Sequence, residues 1–403
     1  MSASTRVFLG LLLGIVAGLG LSRFAPDAAA PVSAIAQPIG RLWLNALQMC
    51  IVPLVASLLV VGINQANDVA TSGRIARKAL LWILTLLALA GLGTAIAAPL
   101  LLGLMPHDPA LMTVLQSAAS PALPPPAGDW TASLIPINVI AAASANAIVP
   151  MVAFTLLFAF ALTQIEAARR RLIVDFFQAI ADTVIRMVHW ILLTGPLGVF
   201  ALILPISAQA GASVVQALGI YISMLCLLYL AITGILYGVA RIGDGEPLRR
   251  YAKAILPAQV VAMSTQSSVA TLPAMVESAG ALDYPRHVTG LVLPLAVSLF
   301  RITSPIQYLG VASFIAWAYG IDLSLATTAL CVALAVVISI GSVGLPGSAI
   351  FMGTNLPVVQ AAGLPVEPMG LLVAVDMIPD VFATLGNVTA DLTVTSKVAR
   401  SES

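Results

Sequence analysis

Apolar residues fill this chain in blocks long enough to cross a hydrocarbon core of about 30 Å, with polar and charged residues gathered between them. Blocks at 7–21, 35–63 and 214–239, and a third in chain order that ends near Leu104 before Pro106, each predict a transmembrane helix. The block at 35–63 is too long for a perpendicular span and predicts a tilted helix with Pro53 inside it. The block at 132–162 is interrupted, and 172–206 predicts one long helix. From Ala254 the pattern changes. Two segments, 264–273 and 339–348, carry small polar residues and a proline in corresponding places: Ser267-Ser268-Val269 before Leu272-Pro273, and Ser342-Val343 before Leu345-Pro346. Each precedes a long helix, 288–319 and 370–398, so a weak repeat of broken segment plus helix is visible. Breaks at membrane depth are tolerated where the freed backbone groups face protein or a wet cavity. Two re-entrant hairpins with tips near the midplane are therefore expected, with a pair of ordinary kinked helices as the plainer alternative.

The last block carries polarity of another kind. Asp380, Asn387 and Asp391 follow Asp376 at offsets of 4, 11 and 15, and at about 100° per residue all four fall within a ~60° stripe. That stripe runs ~22 Å along the helix at ~1.5 Å per residue. Unpaired carboxylates at such depth cost several kcal/mol, so a compensating charge is required. It comes either from bound cations and a cationic substrate group or from arginines of a helix bundle, and one arginine, Arg301, shares the apolar setting.

Composition agrees with this. Hydrophobic residues make up 60% of the chain, charged residues 9%, and mean hydropathy is +1.04, against a charged share of about 25% in soluble domains. The chain therefore reads as an all-α polytopic membrane protein surrounded by lipid bilayer. A net charge of +1 and a single basic run, Arg169-Arg170-Arg171, leave no electrostatic case for nucleic acid. Basic residues recur in every second loop, at 74–78, 169–171 and 241–253, while the proline-rich linker 107–129 has no Lys or Arg. The positive-inside rule then puts the amino terminus and the basic loops in the cytoplasm, as in a multi-pass protein of the cell inner (plasma) membrane. Cys50, Cys226 and Cys331 stand far apart in apolar runs and predict neither a disulfide nor a metal site. Arg6, the run 7–21 and Asp27-Ala28-Ala29-Ala30 have the form of a secretory signal, but the expectation is a retained first helix.

Several motifs resemble those of the dicarboxylate/amino acid:cation symporter family, which includes the excitatory glutamate transporters and their prokaryotic homologues. They are Met-Cys-Ile-Val-Pro-Leu from Met49 to Leu54, Ile135-Pro136-Ile137-Asn138, Gly195-Pro196-Leu197-Gly198-Val199-Phe200, both serine-rich tips, and the Asp…Asp…Asn-Val…Asp pattern from Asp376 to Asp391. The resemblance covers nearly the whole chain. It implies eight transmembrane helices, two re-entrant helical hairpins (251–280 and 324–364), inverted repeats, a homotrimer and an elevator mechanism. In that mechanism a transport domain (71–105 and 211–398) slides against a scaffold (1–70 and 130–210). Residue roles follow from the same resemblance. Ser267, Ser268 and Leu345 would contact the substrate, Asp380 would hold its amino group and Asn387 its main-chain carboxylate, with Thr384 and Ser304 in the same set. Asp391 with Asn387, and Ser298 with Ser342, would form cation sites; the stripe adds Asp376 to the coupling residues.

Departures from the pattern matter as much. Where the family has Asn-Met-Asp-Gly-Thr, this chain has Phe300-Arg301-Ile302-Thr303-Ser304. Trp82, Thr85 and Leu86 stand where a Tyr and a Thr-Ser pair would assist the same sodium, so that cation site is expected to be lost. The arginine that would read an acidic side chain is missing too, with Ala383 and Gln266 in its two possible places. Recognition of a distal carboxylate calls for a desolvated Arg. A neutral amino acid is therefore the favoured substrate; an acidic amino acid or C4-dicarboxylate is the alternative, with Arg301 on a substrate carboxylate. In the first case Arg301 would act as a tethered cation near Asp391 or Asp376. With one fewer negative charge than a typical family site, one fewer coupling cation, Na+ or H+, is needed, and no other cofactor is expected. Rival classes fit less well: an intramembrane hydrolase would need a Gly-x-Ser-x-Gly elbow or His-Glu-x-x-His, both absent. A passive anion channel does not require paired broken segments and cannot concentrate a solute.

Overall fold

In the computed structural model of the chain, residues 3–105, 135–145, 147–211, 213–242, 245–341 and 347–402 are described. Among them are seventeen α-helices and no strand. Six helical stretches are long and apolar enough to cross a membrane, seven if a bent pair at the carboxyl end counts as one span. The fold is thus that of a multi-pass membrane protein.

The first stretches follow the hydropathy. Helices α1 (Ala3–Phe24), α2 (Pro26–Gln48), α3 (Ile51–Thr71) and α4 (Arg74–Gly103) cover the first three blocks, but the single tilted helix expected over 35–63 is interrupted by a turn at Met49 and Cys50 between α2 and α3. Gly73, at φ 133, makes the turn between α3 and α4, a conformation that a side chain would resist. The interrupted fourth block gives α5 (Val139–Ser144), capped by Asn138 Oδ1 on the Ile140 and Ala141 N–H groups, and α6 (Ile148–Leu162). The fifth block departs from expectation. It divides into α7 (Ala167–Leu193) and α8 (Gly195–Ala210), because Pro196 sits in the first turn of α8, where its missing N–H leaves no bond unmade. Freed by that turn, α8 folds back onto α1 and α2, while α3 packs with α6 and α7.

The remaining helices surround the site. They are α9 (Ser213–Arg241), the packed pair α10 (Leu248–Thr265) and α11 (Ser268–Ala281), α12 (Arg286–Leu299), α13 (Thr303–Tyr319), the packed pair α14 (Leu325–Gly341) and α15 (Gly347–Ala361), α16 (Met369–Val375) and α17 (Met377–Arg400). Two more of the predicted single helices are divided. The helix expected over 288–319 is interrupted between Leu299 and Thr303, with Phe300 extended at φ −117, ψ 111. That expected over 370–398 bends by 68° between α16 and α17 at Asp376. α17 packs against α9, α10, α11, α12 and α4, and nearly every residue from Ala383 to Ala399 is buried. A helix enclosed on all sides must find protein partners for every polar group it carries.

Candidate functional site

α17 carries polar groups along its whole length. Asp376, at the bend, is 1% exposed; its Oδ1 accepts from Gln307 Nε2 of α13 at 2.7 Å. Its Oδ2 has no hydrogen-bond partner among the described residues. One turn on, Asp380 is partly buried, its N–H donates to Asp376 O at 2.9 Å, and the buried Thr384 hydroxyl returns to Asp380 O at 2.9 Å. Asn387, 1% exposed, presents its Oδ1 to two donors of one residue: the N–H of Thr303 at 3.1 Å and the Thr303 hydroxyl at 2.9 Å. The amide thereby caps the start of α13, satisfying a backbone donor that the break before it leaves without a helical acceptor. Asp391 is fully buried, and neither carboxylate oxygen has a hydrogen-bond partner among the described residues.

Arg301 enters from the break between α12 and α13. It is partly buried, and the Ser304 N–H closes onto its carbonyl at 3.0 Å. Its charge acts on Asp376, Asp380 and Asp391 alike. The break is what allows this, since a continuous helix would aim residue 301 along a face fixed by its neighbours. Ser304 is buried one turn further in. Three carboxylates against one guanidinium leave the cluster short of positive charge at a depth where that is costly.

The hairpin residues divide. Gln266 holds a left-handed conformation at φ 51, and its Nε2 donates to Met377 O at 3.1 Å, tying the α10–α11 tip to the bend. Ser267 Oγ accepts from the Ala270 N–H at 3.2 Å as the cap of α11, and Ser268 follows partly buried. Ser342 and Leu345 lie outside the described residues. Ser298 is exposed on α12 and gives its hydroxyl to Leu295 O at 2.9 Å. Of the α4 set, Thr85 is exposed and bonds Leu81 O at 2.8 Å, while Trp82 lies 6.0 Å beneath Lys397 Nζ. Thr303 and Gln307 are site residues that the pattern did not single out. The signal was there: Pro305 in the first turn after Thr303 marks a helix start, and Gln307 is a polar residue inside an apolar block.

A membrane-embedded bundle that gathers three carboxylates and an arginine around a doubly broken core defines a membrane protein of the solute-handling class. The model of the sodium:dicarboxylate symporter family matches residues 3–401, and the chain belongs to that family. Among similar proteins, the proton/glutamate-aspartate symporter of Escherichia coli (strain K12) is 28% identical over 410 residues, covering 100% of this chain and 93% of its own. The proton/sodium-glutamate symport protein of Bacillus subtilis (strain 168) is 24% identical, over 96% of this chain and 90% of its own. The C4-dicarboxylate transport protein of Brucella anthropi is 26% identical, over 98% and 89%. The family is one of transporters, not of enzymes.

Proposed function

We propose that the chain is a cation-coupled symporter of a small carboxylate, an acidic amino acid or a C4-dicarboxylate. The observation that carries this is Asp391, buried with both oxygens unpartnered among the described residues and within reach of the Arg301 charge. The unpartnered carboxylate calls for a cation. Arg301 supplies a partly buried guanidinium for carboxylate recognition, from the α12–α13 break instead of from position 383 or 266. The relatives named for glutamate, aspartate and C4-dicarboxylates support the same substrate class.

A neutral amino acid is the second reading, favoured by Ala383 and by Gln266, whose amide is engaged at Met377 O. Uptake of a labelled panel into proteoliposomes under a sodium gradient and, separately, a proton gradient decides between them. Accumulation of acidic or dicarboxylic solutes, abolished by Arg301→Met, is expected. Accumulation of neutral amino acids alone would make Arg301 the tethered cation and return the substrate to the second reading.

The finer architecture belongs to the same proposal. The pairs α10–α11 and α14–α15 act as re-entrant hairpins, and residues 71–105 and 211–398 move as a transport domain against 1–70 and 130–210. A homotrimer is supported by α7, a membrane-spanning helix that leaves Arg171, Asp175, Asp182, Arg186 and His189 exposed. At about 100° per residue these lie within one ~60° stripe, which lipid cannot cover and other copies of the chain can.

A further inference from the structure

Away from α17, a cavity lies where α4, α13 and α14 meet, three helices that pack on one another. Its volume is about 730 Å³, within the ~300–1,000 Å³ range of small-molecule sites. Small residues make the room: Ala95 of α4, Ala312 and Ala316 of α13, Gly320 just past it, and Ala329 of α14 all line the space. The rim is apolar and open, with Leu92 and Ile96 of α4 and Leu325 of α14 at 53%, 65% and 87% exposure. Leu81, Leu89 and Leu100 of α4 are exposed as well, and at about 100° per residue these five α4 residues, 81, 89, 92, 96 and 100, keep to one ~100° stripe. Because α4 is long and apolar enough to span the membrane, that stripe faces acyl chains. The cavity opens beside it over about the last three turns of α4, at the end away from the basic turn at 74–78.

Charge is confined to one end of this space. Asp322, exposed between α13 and α14, is the one charged residue among those that line it. Beside it α13 ends at Tyr319, where the last carbonyls of the helix carry partial negative charge. α14 starts at Leu325, where the first N–H groups have no helical acceptor and carry partial positive charge. We propose that the cavity holds an acyl chain of a bilayer phospholipid with a primary-amine headgroup, its ammonium on Asp322 and the end of α13 and its phosphate at the start of α14. A primary ammonium can donate hydrogen bonds to the carboxylate and the carbonyls, which a quaternary one cannot. A phosphatidylglycerol brings the phosphate without the ammonium and meets Asp322 with like charge. The bilayer supplies such a molecule wherever the α4 stripe is bathed in lipid, and a chain seated there packs α14 onto α4 and α13. The inference rests on the membrane setting and not on the symporter reading.

Trp317 lines the cavity and reports on its contents. The purified full chain is placed in phosphatidylcholine vesicles with increasing mole fractions of phosphatidylethanolamine or phosphatidylglycerol carrying brominated acyl chains, which quench tryptophan on contact. The part of the quenching that disappears in Trp317→Phe is the cavity signal. In the parent, phosphatidylethanolamine is expected to reach half-quenching of that signal at about fivefold lower mole fraction than phosphatidylglycerol, as one solvent-accessible ion pair implies. Asp322→Asn should bring the two curves together. Ala316→Phe fills the cavity and should remove most of the signal, while Leu89→Phe, on the same α4 stripe outside the cavity, should leave it unchanged. If Ala316→Phe does not fold, the Asp322→Asn comparison still decides. Absence of a Trp317 signal, coincident curves in the parent, a preference that survives Asp322→Asn, or a signal that survives in folded Ala316→Phe each overturn the proposal. Since no transport is measured, failure of carboxylate uptake in proteoliposomes counts against the symporter reading alone.

Discussion

At the scale of single residues, a polar side chain of α17 holds the broken core together. Asn387, which the family resemblance gives to the substrate carboxylate, uses its Oδ1 to hold Thr303 at the start of α13. Asn387→Ala should therefore lower stability by about 1–3 kcal/mol, the cost of leaving the buried Thr303 N–H without an acceptor. Thr303→Val removes only the hydroxyl bond and should cost about 1 kcal/mol. Unfolding of the two variants in one detergent, followed by circular dichroism, checks the order; equal losses would mean that the N–H finds another acceptor. The same contact explains why the polar stripe of α17 and a helix break lie side by side. The broken end of α13 needs an acceptor, and Asn387 is the buried amide that reaches it.

Among the elements, the ends of helices are joined by charge. Glu402, just past α17, bonds Arg74 Nη2 at 2.7 Å and Lys78 Nζ at 2.6 Å at the start of α4. Arg400 pairs with the buried Glu246 ahead of α10, and Arg250 of α10 with Asp283 at 2.6 Å. The hydrogen bonds from Arg74 and Lys78 hold the Glu402 carboxyl down from the ordinary 4.5 to about 2. Because its folded value is the lower one, the latch contributes fully above about pH 4.5, and that contribution is lost as pH falls towards 2. Glu402→Gln should melt below the parent at neutral pH, and the two melting curves should converge as pH is lowered through that window. A gap that persisted at pH 2 would assign the difference to something other than the ion pairs. Such latches fasten α17 to α4 at one end, while Gln266 fastens the α10–α11 tip at the other, so the acidic helix is held from both directions.

For the whole molecule, the stripe on α7 is the feature that a single copy cannot accommodate. If other copies cover it, Asp182 and Arg186 contribute charges to the seam, and replacing both with Ala should weaken the assembly. Mass measurement in detergent, with cross-linking in membranes as a control, should find a trimer for the parent and smaller species for the double variant; a monomeric parent would remove the proposal. Much of this protein was legible from sequence. Helical class, membrane setting, the first and third spans and the acidic stripe follow from hydropathy and from a 3.6-residue period, because water and lipid sort side chains wherever they lie in the fold. Family membership was legible as well, from local motifs such as Ser267-Ser268 and Asp376 to Asp391. The break at Phe300, the bend at Asp376, the turn at Thr194 and the partners Thr303 and Gln307 were decided by tertiary structure. An apolar block reads as one helix whether or not it is broken, since the break alters neither hydropathy nor period. What makes a break tolerable is an acceptor such as Asn387, 84 residues away in the chain and adjacent only once α17 lies at the centre of the bundle.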